Sequence, residues 1–131
     1  MENKNLIELA KQAGENAYPC ISGFKVGAAL LTKCGKVYKG CNIEDPSGIG
    51  ITNICAERCA IVKAISEGYR EFEKIAVVGG PEELIFCLPC GACRQYMNSF
   101  NPELIIISLK ENEIIEFKLS ELLPHSFNEK F

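Results

Sequence analysis

The chain has 131 residues, 47% of them hydrophobic and 24% charged, with 14 Lys and Arg against 17 Asp and Glu for a formal net charge of −3. That length and apolar share fit one folded domain with its own core, and they exclude wholesale disorder and collagen-like repetition. Slight acidity with scattered signs excludes gripping a nucleic-acid backbone mainly through charge, and no apolar run approaches the ~20 residues that cross a bilayer.

The first predicted element is an amphipathic helix over Leu6 to Ala17, with Leu6, Ile7, Ala10, Ala13 and Ala17 at three- and four-residue steps and Pro19 ending it. Val26–Leu31 and Lys36–Cys41 flank Lys33-Cys34-Gly35 and read as a β-hairpin. Glu44 to Thr52, with Asp45-Pro46-Ser47-Gly48 and Gly50, reads as a loop. A second helix follows, its stripe expected at Cys55, Cys59, Val62 and Ile65 with Ala56, Ala60 and Ala64 beside it, and Gly68 at its C-terminal cap. Ile75–Val78 is a strand of the kind buried on both faces. Gly91 to Ser99 forms a third helix after Pro89, Leu104–Leu109 and Ile114–Phe117 form two more strands, and Ser120 to Leu123 forms a last helical turn. The sum is an α/β layered domain around a mixed five-stranded sheet.

Eight cysteines, about 6% of the chain, fall short of a disulfide scaffold, and a domain of this size folds without staples. The start Met1-Glu2-Asn3-Lys4 lacks a basic-then-apolar secretory pattern, so the expectation is a cytoplasmic protein with reduced thiols. Two segments concentrate the chemistry: Cys55-Ala56-Glu57-Arg58 and Pro89-Cys90-Gly91-Ala92-Cys93-Arg94-Gln95, each at a helix start. Cys90 and Cys93 have the spacing that brings two thiolates to one ion, and Cys55 would be the third ligand. Three sulfurs leave a tetrahedral zinc one open position, the mark of a catalytic rather than a structural ion. Glu57 lies roughly 200° around the helix from Cys55, so it suits a proton carrier better than a ligand. Helix N-termini favour thiolate over thiol, and Arg58 and Arg94 are candidates to hydrogen-bond the sulfurs.

The pair of motifs, 35 positions apart from Cys55 to Cys90, closely resembles the zinc signature of cytidine deaminases of the small homotetrameric type with three cysteine ligands. Gly23–Leu30, Gly40-Cys41-Asn42-Ile43-Glu44 and Leu122–Phe127 resemble further family segments, so the likeness covers nearly the whole chain. It implies a three-layer α/β/α sandwich over residues 1–131 and one zinc ion per subunit on Cys55, Cys90 and Cys93. It also implies hydrolytic deamination of cytidine or deoxycytidine in pyrimidine salvage, with water attacking C4 while Glu57 protonates N3 and ammonia leaves. By the same resemblance Phe24 packs against the nucleoside, Asn42 and Glu44 bind the ribose, the Ala56 N–H meets the base carbonyl, and Phe127 helps close a neighbouring subunit's site. The implied partner is a small pyrimidine nucleoside, with no nucleic-acid polymer and no membrane.

One segment departs from the family pattern. Asn42 to Cys55 spans 13 positions, two more than usual, and Asp45-Pro46-Ser47-Gly48-Ile49-Gly50 lacks the family's tyrosine. That departure keeps open a deaminase of a modified cytosine nucleoside of the blasticidin-S type. A non-catalytic zinc module is the other alternative, and it needs a fourth ligand that His125, the only histidine, is poorly placed to give. Cys20, Cys34, Cys41, Cys59 and Cys87 read as plain thiols, Cys87 because Pro89 separates it from the helix of Cys90.

Overall fold

The helices and strands expected from the sequence form in the expected order in a computed structural model, which describes residues 1–128. They are α1 (Asn3–Gly14), β1 (Lys25–Thr32), β2 (Val37–Cys41), α2 (Ala56–Ser66), β3 (Phe72–Gly80), α3 (Gly91–Asn98), β4 (Ile105–Lys110), β5 (Glu113–Lys118) and α4 (Leu119–Leu122). The sheet order is β2-β1-β3-β4-β5; β3 and β4 are parallel and the other neighbours antiparallel, which makes the sheet mixed. A parallel pair needs a crossover connection, and the segment carrying α3 provides it.

The alternation of side chains along β1 and β3 divides the core in two. Ala29, Leu31, Ala76 and Val78 face Leu6, Ile7 and Ala10 of α1, while Ala28, Leu30, Ile75 and Val77 face Ala60 and Ile61 of α2 and Met97 of α3. Helices therefore cover both faces, giving the three-layer α/β/α sandwich. Fully buried Leu6, Leu30, Ile61 and Ile75 each contribute about 1.5–3 kcal/mol of apolar burial.

Two helices differ from the sequence reading, one in its bounds and one in its buried face. The first helix runs Asn3–Gly14 rather than Leu6 to Ala17, because the backbone of Tyr18 is taken by the chain after β2: its N–H donates to Asn42 O at 2.9 Å, and its carbonyl accepts from Glu44 N–H at 2.9 Å. The buried stripe of α2 is Ala56, Glu57, Ala60, Ile61 and Ala64, whereas Val62 is exposed and Cys59 half-buried. Small residues face the sheet because α2 presses on β2 at Gly40, where an added Cβ would stand 2.4 Å from Ala56 O and 2.5 Å from Ala60 N. At its far end α2 closes as expected on Gly68, at φ 97°, with Tyr69 N–H donating to Ala64 O and Gly68 N–H to Ile65 O, both at 3.0 Å.

Candidate active site

Cys55 and Cys90 are the residues immediately before the first turns of α2 and α3, both with extended backbone. Their carbonyls close those turns, accepting from Cys59 N–H and Arg94 N–H at 2.9 Å, and neither side chain is spent on capping. The thiols are thus free to point ahead of two helix N-termini. Cys93, one turn into α3 and fully buried, completes a cluster whose three Sγ atoms lie within 4.8 Å of one another, with Cys55 and Cys90 at 3.8 Å. Sulfurs on the corners of a tetrahedral zinc site stand about 3.8 Å apart for Zn–S bonds near 2.3 Å, so the donor set fits that ion. No fourth Cys, His, Asp or Glu joins the cluster among the described residues, which leaves one position open.

Hydrogen bonding from Cys93, then from Arg58 and Cys90, pulls the Cys55 thiol down to about 5 despite its burial. Cys93 moves the opposite way, raised by its hydrogen bond to Cys55, by burial and by Glu57. The Arg58 guanidinium donates through Nη2 to Cys55 Sγ at 3.6 Å and to Asn53 O at 3.5 Å, placing a positive charge against the thiolate. Arg94 differs from the reading that set it against the sulfurs. Its Nε donates to Pro89 O at 2.7 Å and its Nη1 to Leu122 O at 2.8 Å, so it ties the start of α3 to the C-terminal segment. The physical reason is its position: it lies one residue beyond Cys93, turned toward the two backbone carbonyls.

Glu57 is 3% exposed, and burial first, then the neighbouring Cys55 charge, raises its carboxyl above the usual carboxylate range. It opens with Cys55, Ala56 and Cys90 onto a cleft of about 270 Å³. Phe24, Asn42 and Glu44 also line this cleft. Both ends of the Asn42 amide are engaged, Oδ1 accepting from Val26 N–H at 2.8 Å and Nδ2 donating to Phe24 O at 2.7 Å. That side chain pins the start of β1 to the end of β2 and holds Phe24 at the rim. Glu44 accepts through one oxygen from Ile21 and Ser22 N–H, both at 2.8 Å, which lowers its carboxyl and orders the turn before β1. Phe127 is 60% exposed and outside the lining of this cleft, while its backbone is clamped by Gln95, whose Nε2 donates to Phe127 O at 2.9 Å.

Asn53, Ile54, Cys87 and Leu88 line the cleft too and were not singled out as site residues by the sequence motifs. Cys87 is a wall residue rather than a ligand, its thiol pushed up to about 11 by burial and by Glu57. Its only sequence signal was proximity to Cys90, and Asn53's was proximity to Cys55.

A sulfur-rich metal site with one open position, a buried carboxyl beside it and a nucleoside-sized cleft in front define a metal-dependent hydrolase built on an α/β/α sandwich. The profile of the cytidine and deoxycytidylate deaminase zinc-binding region matches residues 1–109. A cytidine deaminase of Halalkalibacterium halodurans is 46% identical over 97% of this chain and 95% of its own length, and a blasticidin-S deaminase of Bacillus cereus is 30% identical over 76% and 74%. The crystal structure of a cytidine deaminase from Burkholderia pseudomallei superposes with a TM-score of 0.87 at 43% identity, covering 97% of this chain and all of the other. The chain belongs to the cytidine and deoxycytidylate deaminase family, whose zinc-binding region holds the Cys55, Cys90 and Cys93 cluster.

Proposed function

We propose that the chain is a single-domain enzyme over residues 1–131 that hydrolyses cytidine and deoxycytidine to uridine and deoxyuridine with release of ammonia. It would act in cytoplasmic pyrimidine salvage as a homotetramer with one zinc ion per subunit. The observation that carries this reading is the buried carboxyl of Glu57 on the same cleft as three thiols converging from two helix starts. Cys55, Cys90 and Cys93 hold the ion, and when bound it supplies a Lewis acid and lowers the pKa of a coordinated water toward neutrality.

Glu57 takes a proton from the attacking water, delivers it to N3 of the base, and passes the next proton to the departing amine, so that water and cytidine become uridine and ammonia. Burial raises the Glu57 carboxyl, which favours its holding a proton between taking it from water and giving it to the base. In this reading the Ala56 N–H donates to the base carbonyl, supported by its place in the first turn of α2 on the cleft. Phe24 offers an apolar face to the ring, and Glu44 keeps one carboxylate oxygen free for a sugar hydroxyl. Arg58 holds the Cys55 sulfur as thiolate. In this reading Phe127 meets a neighbouring subunit, which its exposure on a clamped backbone supports.

The test is ammonia release from cytidine, deoxycytidine and blasticidin S, with zinc content measured on the wild type and Glu57→Ala. The expected result is turnover of cytidine and deoxycytidine, and in the variant retained zinc and fold with activity lower by about 10²–10⁴-fold or more. Turnover of blasticidin S alone would shift the substrate to the modified nucleoside that the longer loop and the Bacillus cereus relative favour. Equal turnover by Glu57→Ala would overturn the role of Glu57, and no turnover of any of the three by the zinc-loaded wild type would leave only the non-catalytic zinc module.

A further inference from the structure

The segment that departs from the family pattern is an ordered loop rather than a loose insertion. Ile43 and Ile54 exchange both backbone hydrogen bonds at 2.9 Å and close its base. One step further out, Asp45 N–H donates to Asn53 Oδ1 at 2.6 Å, so a side chain continues the ladder where backbone pairing stops. The Asp45 carboxylate gathers the rest, accepting from Ser47 N–H at 2.8 Å and from the Thr52 hydroxyl, whose oxygen also lies 2.7 Å from Ile49 O.

This network fixes which way the Asn53 amide faces. A backbone N–H can only donate, so the atom opposite Asp45 N must be Oδ1. Nδ2 is then turned the other way, has no partner among the described residues, and is not a buried atom. Asn53 lines the same cleft as Glu44, and the Ile43–Ile54 pair sets those two residues side by side. Glu44 has one carboxylate oxygen committed to Ile21 and Ser22 and the other available as an acceptor. Asn42 commits its oxygen to Val26 N–H and one amide N–H to Phe24 O, whereas the Asn53 Nδ2 commits neither. This rim of the cleft therefore offers one acceptor and one donor, and a sugar hydroxyl, which both donates and accepts, satisfies the two together.

We infer that Asn53 is a specificity-determining residue of this cleft, its Nδ2 donating to a hydroxyl of the nucleoside sugar whose proton is taken by Glu44, with Asp45 as the positioning residue that holds the amide in that orientation. The inference rests on the deaminase reading and adds to it a contact supplied by the longer loop. It explains why a two-residue insertion can sit beside the substrate without leaving a gap in the polar wall.

The experiment compares kcat/KM of the wild type and Asn53→Asp on cytidine and on its 2′-deoxy, 3′-deoxy and 5′-deoxy analogues. The aspartate keeps an acceptor for Asp45 N–H and removes the donor. Cytidine should lose about tenfold or more, through KM, whereas one of the three analogues, already lacking the hydroxyl, should change by less than about twofold. Ratios between substrates on one protein do not depend on the fraction folded, so partial unfolding of the variant does not blur the result. Asp45→Asn, with Thr52 and Ser47 losing their charged acceptor, should move the same ratio in the same direction but less. Equal losses on all four substrates, or none, would overturn the Asn53 assignment alone. A wild type that turns over none of the four would overturn the deaminase reading and this inference with it.

Discussion

Replacing Gly40 by alanine tests whether the close docking of α2 on β2 is what places the site. The new Cβ would stand 2.4 Å from Ala56 O and 2.5 Å from Ala60 N, both backbone atoms that cannot rotate away. Ordinary contact begins near 3.4 Å, so α2 must retreat by about 1 Å at its first turn, close to Cys55 and Glu57. Overpacking of this kind costs about 1–3 kcal/mol of stability. A displacement of about 1 Å in a catalytic group costs on the order of 10²-fold in rate. Denaturant unfolding of the zinc-loaded protein, zinc affinity by competition with a chelator, and kcat on cytidine should all fall for Gly40→Ala. Gly50→Ala is the control, since a Cβ there meets nothing within 4 Å and its backbone is not in the left-handed region. The reasoning fails if Gly40→Ala keeps wild-type zinc affinity and kcat, or if Gly50→Ala loses as much.

Two more perturbations read separate parts of the same architecture. Ser108 is fully buried in β4, and its hydroxyl lies 3.0 Å from Val77 O and 2.7 Å from Cys87 O; Ser108→Ala should lower unfolding stability by about 1–3 kcal/mol and loosen the Cys87–Pro89 wall, seen as faster alkylation of Cys87. An unchanged unfolding midpoint would show that the hydroxyl holds neither strand nor wall. For Glu44 the folded carboxyl is lowered by the Ser22 and Ile21 N–H groups, so its contribution is present above the unfolded value of about 4.3 and is lost as pH falls through the folded value. The Ile21 and Ser22 amide resonances should titrate with a midpoint below that of an ordinary glutamate and lose the titration in Glu44→Gln; a midpoint at or above it would contradict the geometry.

The order of the elements was legible because each one carries a local signal. An apolar run and an alternating run joined by a Gly-containing turn mark the hairpin, an all-apolar run marks β3, and Gly68 marks the end of α2 by the left-handed conformation it alone adopts easily there. The metal site was legible for the same reason: Cys90 and Cys93 lie within one helical turn, and Cys55 heads its own helix two residues before Glu57. The buried face of α2 was not, since a helix with alanines, isoleucines and a valine on adjoining stripes has little amphipathic contrast, and Gly40 on another element chose which stripe turned inward.

Sequence by itself thus determined the layers, the three thiols and the carboxyl, because helix starts and short spacings are properties of neighbouring residues. Tertiary structure alone decided that Arg58 meets Cys55 while Arg94 ties down Leu122, that Asn42 braces the start of β1, and that Asn53 and Glu44 stand side by side. Each of those outcomes depends on which backbone groups the packing leaves without a partner, and that is settled only when distant segments meet.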